Sequence, residues 1–318
     1  MRFVVTGAAG FIGSTLCDRL LADGHDVLGV DSFTDYYARR IKVHNIRDAL
    51  QHPAFQLLEA DLVTATLTSA VSEAGGVFHL AAQPGVRQSW GEEFSVYVRD
   101  GILATQRVLE ACRTARVPRV VYASSSSVYG NAESLPVAED APLRPISPYG
   151  ISKHAGEELC RAYGDGFGME VVVLRYFTVY GPRQRPDMAF HRFIKSALTG
   201  RSIDVYGDGS QTRDFTYVDD AVAGTTAAMD RGLPGAVYNL GGGARWAVRD
   251  ILDAIQTIAG KPLVLQHLEA QLGDVAHTAA DTTKARRELG FAPEMDVVSG
   301  LARQAQSLSD RLRNGLLD

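Results

Sequence analysis

Over the first half of the chain, short runs of apolar, mostly β-branched residues alternate with stretches whose apolar positions recur at helical spacing. Phe3-Val4-Val5 is followed by Phe11 to Leu21, where Phe11, Ile12, Leu16 and Leu20 mark one helical stripe. Val27 to Val30, Phe55 to Leu58, Val77 to Leu80, Val120 to Ala123 and Val171 to Leu174 are further strand-like runs. Near-continuous apolar runs, rather than alternating ones, are how parallel strands covered on both faces read. The pattern predicts an α/β fold built on a doubly wound parallel sheet.

Past Tyr180 the texture changes. Gly181 to Pro186 reads as a loop, Phe190 to Leu198 as a helix and Tyr206 to Ser210 as a turn. Val248, Ile251, Leu252, Ile255 and Ile258 form a helical stripe, and 281–289 and 297–314 are also helical in pattern. Tyr238-Asn239-Leu240 reads as one more strand of the first sheet. Two units follow: residues 1–175 plus about 213–240, and a smaller one of 176–212 plus about 241–318.

The 318 residues suffice for a self-supporting core, and a net charge of −5 argues against a general nucleic-acid binder. No apolar run reaches membrane-spanning length, and the first strand starts at Arg2, which leaves no room for a signal peptide. Cys17, Cys112 and Cys160 are odd in number, far apart and set among apolar residues, so they read as buried free thiols of a reducing, cytoplasmic protein. The eight histidines form no tight ligand spacing, and no metal site is expected.

Candidate chemistry begins at Gly7-Ala8-Ala9-Gly10-Phe11-Ile12-Gly13, between the first strand and the first helix. Small residues there let the backbone approach a pyrophosphate, which free N–H groups and the helix dipole then hold. Asp31 ends the second strand 18 residues after Gly13. A carboxylate so placed accepts ribose hydroxyls and repels a 2′-phosphate, which favours NAD over NADP. Arg39 and Arg40 lie too far on for a 2′-phosphate pocket. Ser147-Pro148-Tyr149 opens a helix, with Ser as cap and Pro at its first position. Tyr149 and Lys153 share a face of it. An ammonium and a cationic nicotinamide beside the phenol would draw its pKa down.

With the GxxGxxG spacing, Asp61-Leu62, His79 to Ala82, Ser124 to Gly130 and Tyr149–Lys153, the chain resembles the extended short-chain dehydrogenase/reductase family, in its nucleotide-sugar epimerase branch. The resemblance spans essentially the whole sequence. It implies a Rossmann-type domain with a smaller substrate domain, NAD as cofactor, and Tyr149 as acid/base with Lys153 and Ser125. Asp61, Leu62, Leu80, Ala81, Ala82 and Tyr176 would lie along the cofactor. Asp100 stands where relatives usually carry Asn. Ser126 and Ser127 replace the Asp-Glu pair of dehydratase relatives, and Ser127 replaces the Glu typical of decarboxylases, so epimerisation or simple dehydrogenation is the chemistry left.

Arg175 to Ala189, Pro84 to Trp90 and Asp31 to Tyr37 resemble the corresponding stretches of UDP-glucuronate 4-epimerases. Ser126, Ser127, Thr178 and Arg185 could supply donors to a C6 carboxylate, arginine being suited to clamp one. By the same resemblance, Gly85, Arg87, Ala189, Phe190, Tyr206, Gln211, Arg213 and Asp274 would contact the UDP-sugar, Tyr206 by stacking on the base and Phe193 only as packing. Gln271-Leu272 replaces the family's Arg-Pro, removing one phosphate contact. The implied reaction is C4 epimerisation of UDP-glucuronic acid to UDP-galacturonic acid through a 4-keto sugar. The rivals are a UDP-glucose or UDP-N-acetylhexosamine 4-epimerase, a decarboxylase, and a silent NAD-binding protein. Relatives commonly form homodimers through two helices, here 94–115 and 149–163.

Overall fold

The computed structural model describes residues 1–269 and 273–316. Among these, the strands in chain order are β1 (Arg2–Thr6), β2 (Asp26–Asp31), β3 (Phe55–Glu59), β4 (Gly76–His79), β5 (Arg119–Ser125), β6 (Glu170–Tyr176), β7 (Thr178–Tyr180), β8 (Ile203–Tyr206), β9 (Thr212–Tyr217), β10 (Val237–Leu240), β11 (Arg245–Ala247) and β12 (Leu265–Leu268). Seven of them form a parallel sheet in the order β10-β6-β5-β4-β1-β2-β3. The order reverses between β1 and β4, and in such a sheet ligands bind where the strand ends part at this point. This is the Rossmann-type fold the apolar runs predict. Val5, Val77, Phe78, Val172 and Leu174 are fully buried at its centre.

Smaller sheets build the second unit: β11-β9-β7, and the pair β12-β8. β9 falls in the stretch 213–240 assigned from sequence to the first unit, yet it pairs with β7 and β11. The helix Val218–Arg231, which follows β9, is absent from the hydrophobic pattern because Ala, Gly and Thr supply most of its inner face between Val218, Val222 and Met229. That smallness serves packing: a Cβ on Gly224 would come within 2.9 Å of Leu240.

The stretch 94–115 is not one regular helix. Phe94–Tyr97 and Ala104–Ala115 are joined by a wide π-type turn, Val98–Leu103. Such bulges re-aim side chains, and this one carries Asp100. All three cysteines are free and buried, and burial raises each thiol well above its ordinary pKa.

One buried polar network ties β5, β6 and β10 to the helix Pro148–Phe167. Arg175 Nε and Nη2 donate to the two Glu157 carboxylate oxygens at 3.0 and 2.8 Å. Arg175 Nη1 donates to the Tyr129 hydroxyl and the Glu139 carbonyl, and Tyr129 in turn donates to Asn239 on β10. Ser124 also donates to Glu157. Removing one member of such a pair strands the other charge in the core. Glu157→Ala is therefore expected to cost about 3–5 kcal/mol of stability; urea unfolding of the two proteins measures it, and a loss below about 1 kcal/mol would show the pair to be dispensable.

Candidate functional site

A cleft opens at the carboxyl ends of β1 and β4. Its floor is the glycine loop. Gly7 has φ +72°, and a Cβ there would sit 2.9 Å from the Ala81 amide nitrogen. A Cβ on Gly13 would lie 2.1 Å from the Gly7 carbonyl oxygen. Only glycine permits this close approach of helix, loop and β4, so the cradle fits a dinucleotide pyrophosphate. Asp31 braces the loop as well as facing the cleft: Oδ2 accepts from the Ala9 amide at 3.0 Å and Oδ1 from the Phe33 amide at 2.8 Å.

Gly7, Gly10, Phe11, Ile12, Gly13, Asp31, Asp61 and Leu62 line this cleft, with Leu80, Ala81, Ala82, Tyr149, Lys153 and Tyr176. Ala9 does not. Its side chain is buried against Phe33 and Ile46 behind the loop, so it contributes backbone only. Asp61 and Asp100 share Arg99 as ion-pair partner. Burial raises the Asp61 pKa, but the Arg99 guanidinium and backbone donors outweigh it and hold the carboxyl below its usual range. Arg39 is engaged elsewhere, stacked on Phe33 and forked onto Glu59.

Ser147 caps the helix Pro148–Phe167, its hydroxyl accepting from the Gly150 amide at 3.1 Å, with Pro148 in the first turn. This presents Tyr149 and Lys153 to the cleft. Lys153 is buried, and its Nζ donates to the Ala123 carbonyl at 2.8 Å. Burial pushes the Lys153 pKa down to about 8 against the pull of Cys160 and Glu157. The sequence reading has Lys153 and a cationic nicotinamide together drawing the phenol down. Burial raises the Tyr149 pKa, and the groups that lower it are a Ser125 hydrogen bond and the Arg185 guanidinium. Tyr97 packs edge-on to Tyr149, centroids 6.2 Å apart, with its hydroxyl at the Pro84 and Gly85 carbonyls.

The proposed carboxylate donors divide. Arg185 lines the main cleft with Tyr149. Ser126, Ser127 and Thr178 line a neighbouring hollow with Arg213 and Asp274. Ser125, between the two linings in sequence, accepts from the Ser127 amide and donates to its hydroxyl, both at 3.1 Å. Arg213 donates to the carbonyls of Thr212 and Ala276, and burial lowers its pKa.

The Arg87 guanidinium covers one face of the Tyr206 ring, 4.1 Å from its centroid, and also pairs with Asp274 at 2.8 Å. Phe190 is buried with its ring 4.5 Å from that of Phe215, so only its backbone and that of exposed Ala189 are available to a ligand. Gln211 donates to the Tyr206 carbonyl, and Gly85 sits at φ +104° beside the Tyr36 and Tyr97 hydroxyls. Gln271 and Leu272 lie outside the described residues.

Sequence reasoning did not single out Asp187, Tyr36 or Tyr97. Asp187 Oδ1 and Oδ2 accept from Arg185 Nε and Nη2, each at 3.0 Å, and Tyr36 donates to Asp187 at 3.2 Å. Asp187 follows Arg185 by two positions, a spacing that could have been read as a local ion pair. Among the described residues no group of acids, histidines or cysteines could hold a metal ion, and no helix is long and apolar enough to cross a membrane.

The model of the NAD dependent epimerase/dehydratase family matches residues 3–241. An uncharacterized UDP-glucose epimerase of Bacillus subtilis is 44% identical over 311 residues, covering 97% of this chain and 98% of the relative. A UDP-glucuronate 4-epimerase of Thermodesulfobacterium geofontis is 37% identical, with 95% and 94% covered. The crystal structure of UDP-glucuronic acid 4-epimerase from Bacillus cereus, in complex with UDP-glucuronic acid and NAD, superposes with a TM-score of 0.95 at 42% identity, covering 98% of this chain and 99% of that one. The chain belongs to the NAD dependent epimerase/dehydratase family.

Proposed function

We propose that this protein is an NAD-dependent isomerase that inverts C4 of UDP-glucuronic acid to give UDP-galacturonic acid. The observation that carries the reading is Arg185, a carboxylate-binding guanidinium in the same cleft as Tyr149 and the glycine loop. Bound NAD supplies the acceptor and donor of the hydride at C4. Tyr149 takes the O4 proton as the 4-keto sugar forms, and returns it as the sugar is reduced from its other face. Ser125 holds the phenol in line. Lys153, anchored on Ala123, is placed to hold the nicotinamide ribose. Arg213 and Arg87 would keep the diphosphate fixed while the keto sugar turns over.

The 4-keto acid is a β-keto acid, prone to lose CO2 when its C5–carboxylate bond aligns with the ketone. Arg185 is assigned to hold the carboxylate out of alignment, with Ser126, Ser127 and Thr178 on the adjoining side. A neutral-sugar reading, UDP-glucose 4-epimerisation, has one observation in its favour besides the Bacillus subtilis relative's name: the resting Arg185 already has a carboxylate partner in Asp187.

We also propose the two-unit division at about residues 176 and 241, with β9 on the substrate side, a cytoplasmic location in keeping with three free thiols, and a homodimer. The helical stretches 94–115 and 148–167 expose Val98, Leu103 and Ile151, apolar surface suited to a second copy. Sedimentation should give twice the chain mass, and a monomer at micromolar concentration would refute the dimer.

Incubation of the NAD-loaded protein with UDP-glucuronic acid, followed by NMR, should show inversion at C4. Tyr149→Phe should lower turnover by about 10²–10⁴-fold while NAD stays bound; near-normal turnover would remove Tyr149 as acid/base. Lys153 gives a separate signature. Its folded pKa of about 8 lies below the unfolded value of about 10.4. Between the two the unfolded chain binds more protons, so stability of the cofactor-free protein should rise with pH across that window. Lys153→Met should abolish that part of the rise, and identical pH–stability profiles would show that the ammonium is not penalised.

A further inference from the structure

Arg185, which lines the cleft, pairs with a carboxylate that the epimerisation scheme leaves unused, that of Asp187. Asp187 already pairs with a guanidinium that, on the reading above, must receive a second carboxylate from the substrate. The contact geometry resolves the competition. Asp187 takes Nε and Nη2, one edge of the Arg185 fork. Among the described residues nothing bonds Nη1. Guanidinium has five N–H donors on two carboxylate-shaped edges, so the Nη1/Nη2 edge can take a second carboxylate without displacing the first.

Asp187 is itself held. Tyr36 donates to its Oδ2, and Tyr36 sits on the loop after β2 that also lines the cofactor cleft. The Tyr36 hydroxyl is wedged beside Gly85, where a Cβ would come within 3.0 Å of it. The chain Gly85–Tyr36–Asp187–Arg185 therefore fixes which way the guanidinium faces. A neutral sugar offers Arg185 one hydroxyl, which tolerates a range of fork angles. A carboxylate needs two parallel donors and does not.

We propose that Asp187, steadied by Tyr36, is a positioning residue that sets the preference for an acidic over a neutral UDP-sugar, by holding one edge of Arg185 so that the other meets the substrate carboxylate squarely. The proposal rests on the C4-epimerase reading. It also assigns Asp187 a part in protecting the intermediate. If Arg185 swings, the C5–C6 bond of the 4-keto acid can align with the ketone and break. Its electron pair then enters the carbonyl as an enolate, CO2 leaves, C5 gains a proton, and the hydride taken from C4 remains on the dinucleotide. Each such event yields one 4-keto-pentose and one enzyme-bound reduced cofactor.

The test compares wild type, Asp187→Asn, Tyr36→Phe and, as a benchmark, Arg185→Ala. It measures kcat/KM on UDP-glucuronic acid and on UDP-glucose, the product mixture by NMR, the absorbance of reduced nicotinamide, and UDP-glucuronic acid binding by calorimetry. Asp187→Asn should lower the acidic-to-neutral ratio about tenfold, the worth of one charge-assisted hydrogen bond, with 4-keto-pentose and reduced cofactor accumulating together as in Arg185→Ala. Tyr36→Phe should move the ratio the same way by less. Equal losses on both sugars, or tighter acid binding with a clean product, would overturn the proposal, since a merely structural residue or a simple charge competitor behaves so. Should Asp187→Asn lose its bound NAD, Tyr36→Phe, which removes one oxygen, decides alone. Wild type that leaves UDP-glucuronic acid unchanged would refute the epimerase reading and this proposal with it; active wild type with an unmoved ratio in the variants refutes only the proposal.

Discussion

The Arg175–Glu157 pair is the interaction on which the arrangement of the cleft depends. Both side chains are almost fully withdrawn from water, at 4% and 6% exposure. Two charges buried this way are tolerated only when their remaining donors and acceptors are satisfied. They are: Tyr129, the Glu139 carbonyl and Ser124 complete the shell. Tyr149, Lys153 and Glu157 follow one another at four-residue intervals, on one face of one helix. Fixing Glu157 against β6 therefore fixes the angle at which Tyr149 and Lys153 enter the cleft. Gly156 makes this approach possible, since a Cβ there would lie 2.0 Å from the Tyr122 hydroxyl.

With the helix so fixed, the electrostatics of Tyr149 follow from what surrounds it. A half-buried phenol without cofactor is held in its neutral form, because burial outweighs Ser125 and Arg185. On the reading of Tyr149 as acid/base, the proton so kept is the one that the reaction would move. A bound cationic nicotinamide would add a charge of the sign that tilts the same phenol toward the phenolate.

The main sheet was legible because parallel strands buried on both faces write themselves as uninterrupted apolar runs, and the glycine loop because close backbone approach excludes every other residue. The second unit was not. β7, β8, β11 and β12 are three or four residues long, and β12 is mostly exposed, so no period could declare them. The helix Val218–Arg231 hides most of its inner face in small residues. The site was legible as residue types but not as partnerships. Arg185 was visible as a cation while its hold by Asp187 was not, and Lys153 was visible beside Tyr149 while its commitment to the Ala123 carbonyl was not. Side-chain direction is set by tertiary neighbours, and a sequence motif is silent about which neighbour prevails.

The same reasoning accounts for a buried cation far from the reacting carbon. Arg311, on the last helix (Val297–Arg313) of the second unit, is 5% exposed and donates not to a carboxylate but to the Asn45 side-chain oxygen at 2.7 Å. Burial, with Arg183 nearby, pulls its pKa down to about 10, so the position costs stability rather than adding to it. Asn45 passes the contact on by donating to the Ala9 carbonyl, while the Ala9 amide donates to Asp31. One residue of the glycine loop, Ala9, is thereby held through both its backbone groups, by Asp31 and by an amide leaning on the second unit. A hydrophobic side chain at 311 would pack at less cost but could not hold Asn45 in that orientation. The last described helix is in this way wired, through Asn45, to the glycine loop between the first strand and the first helix.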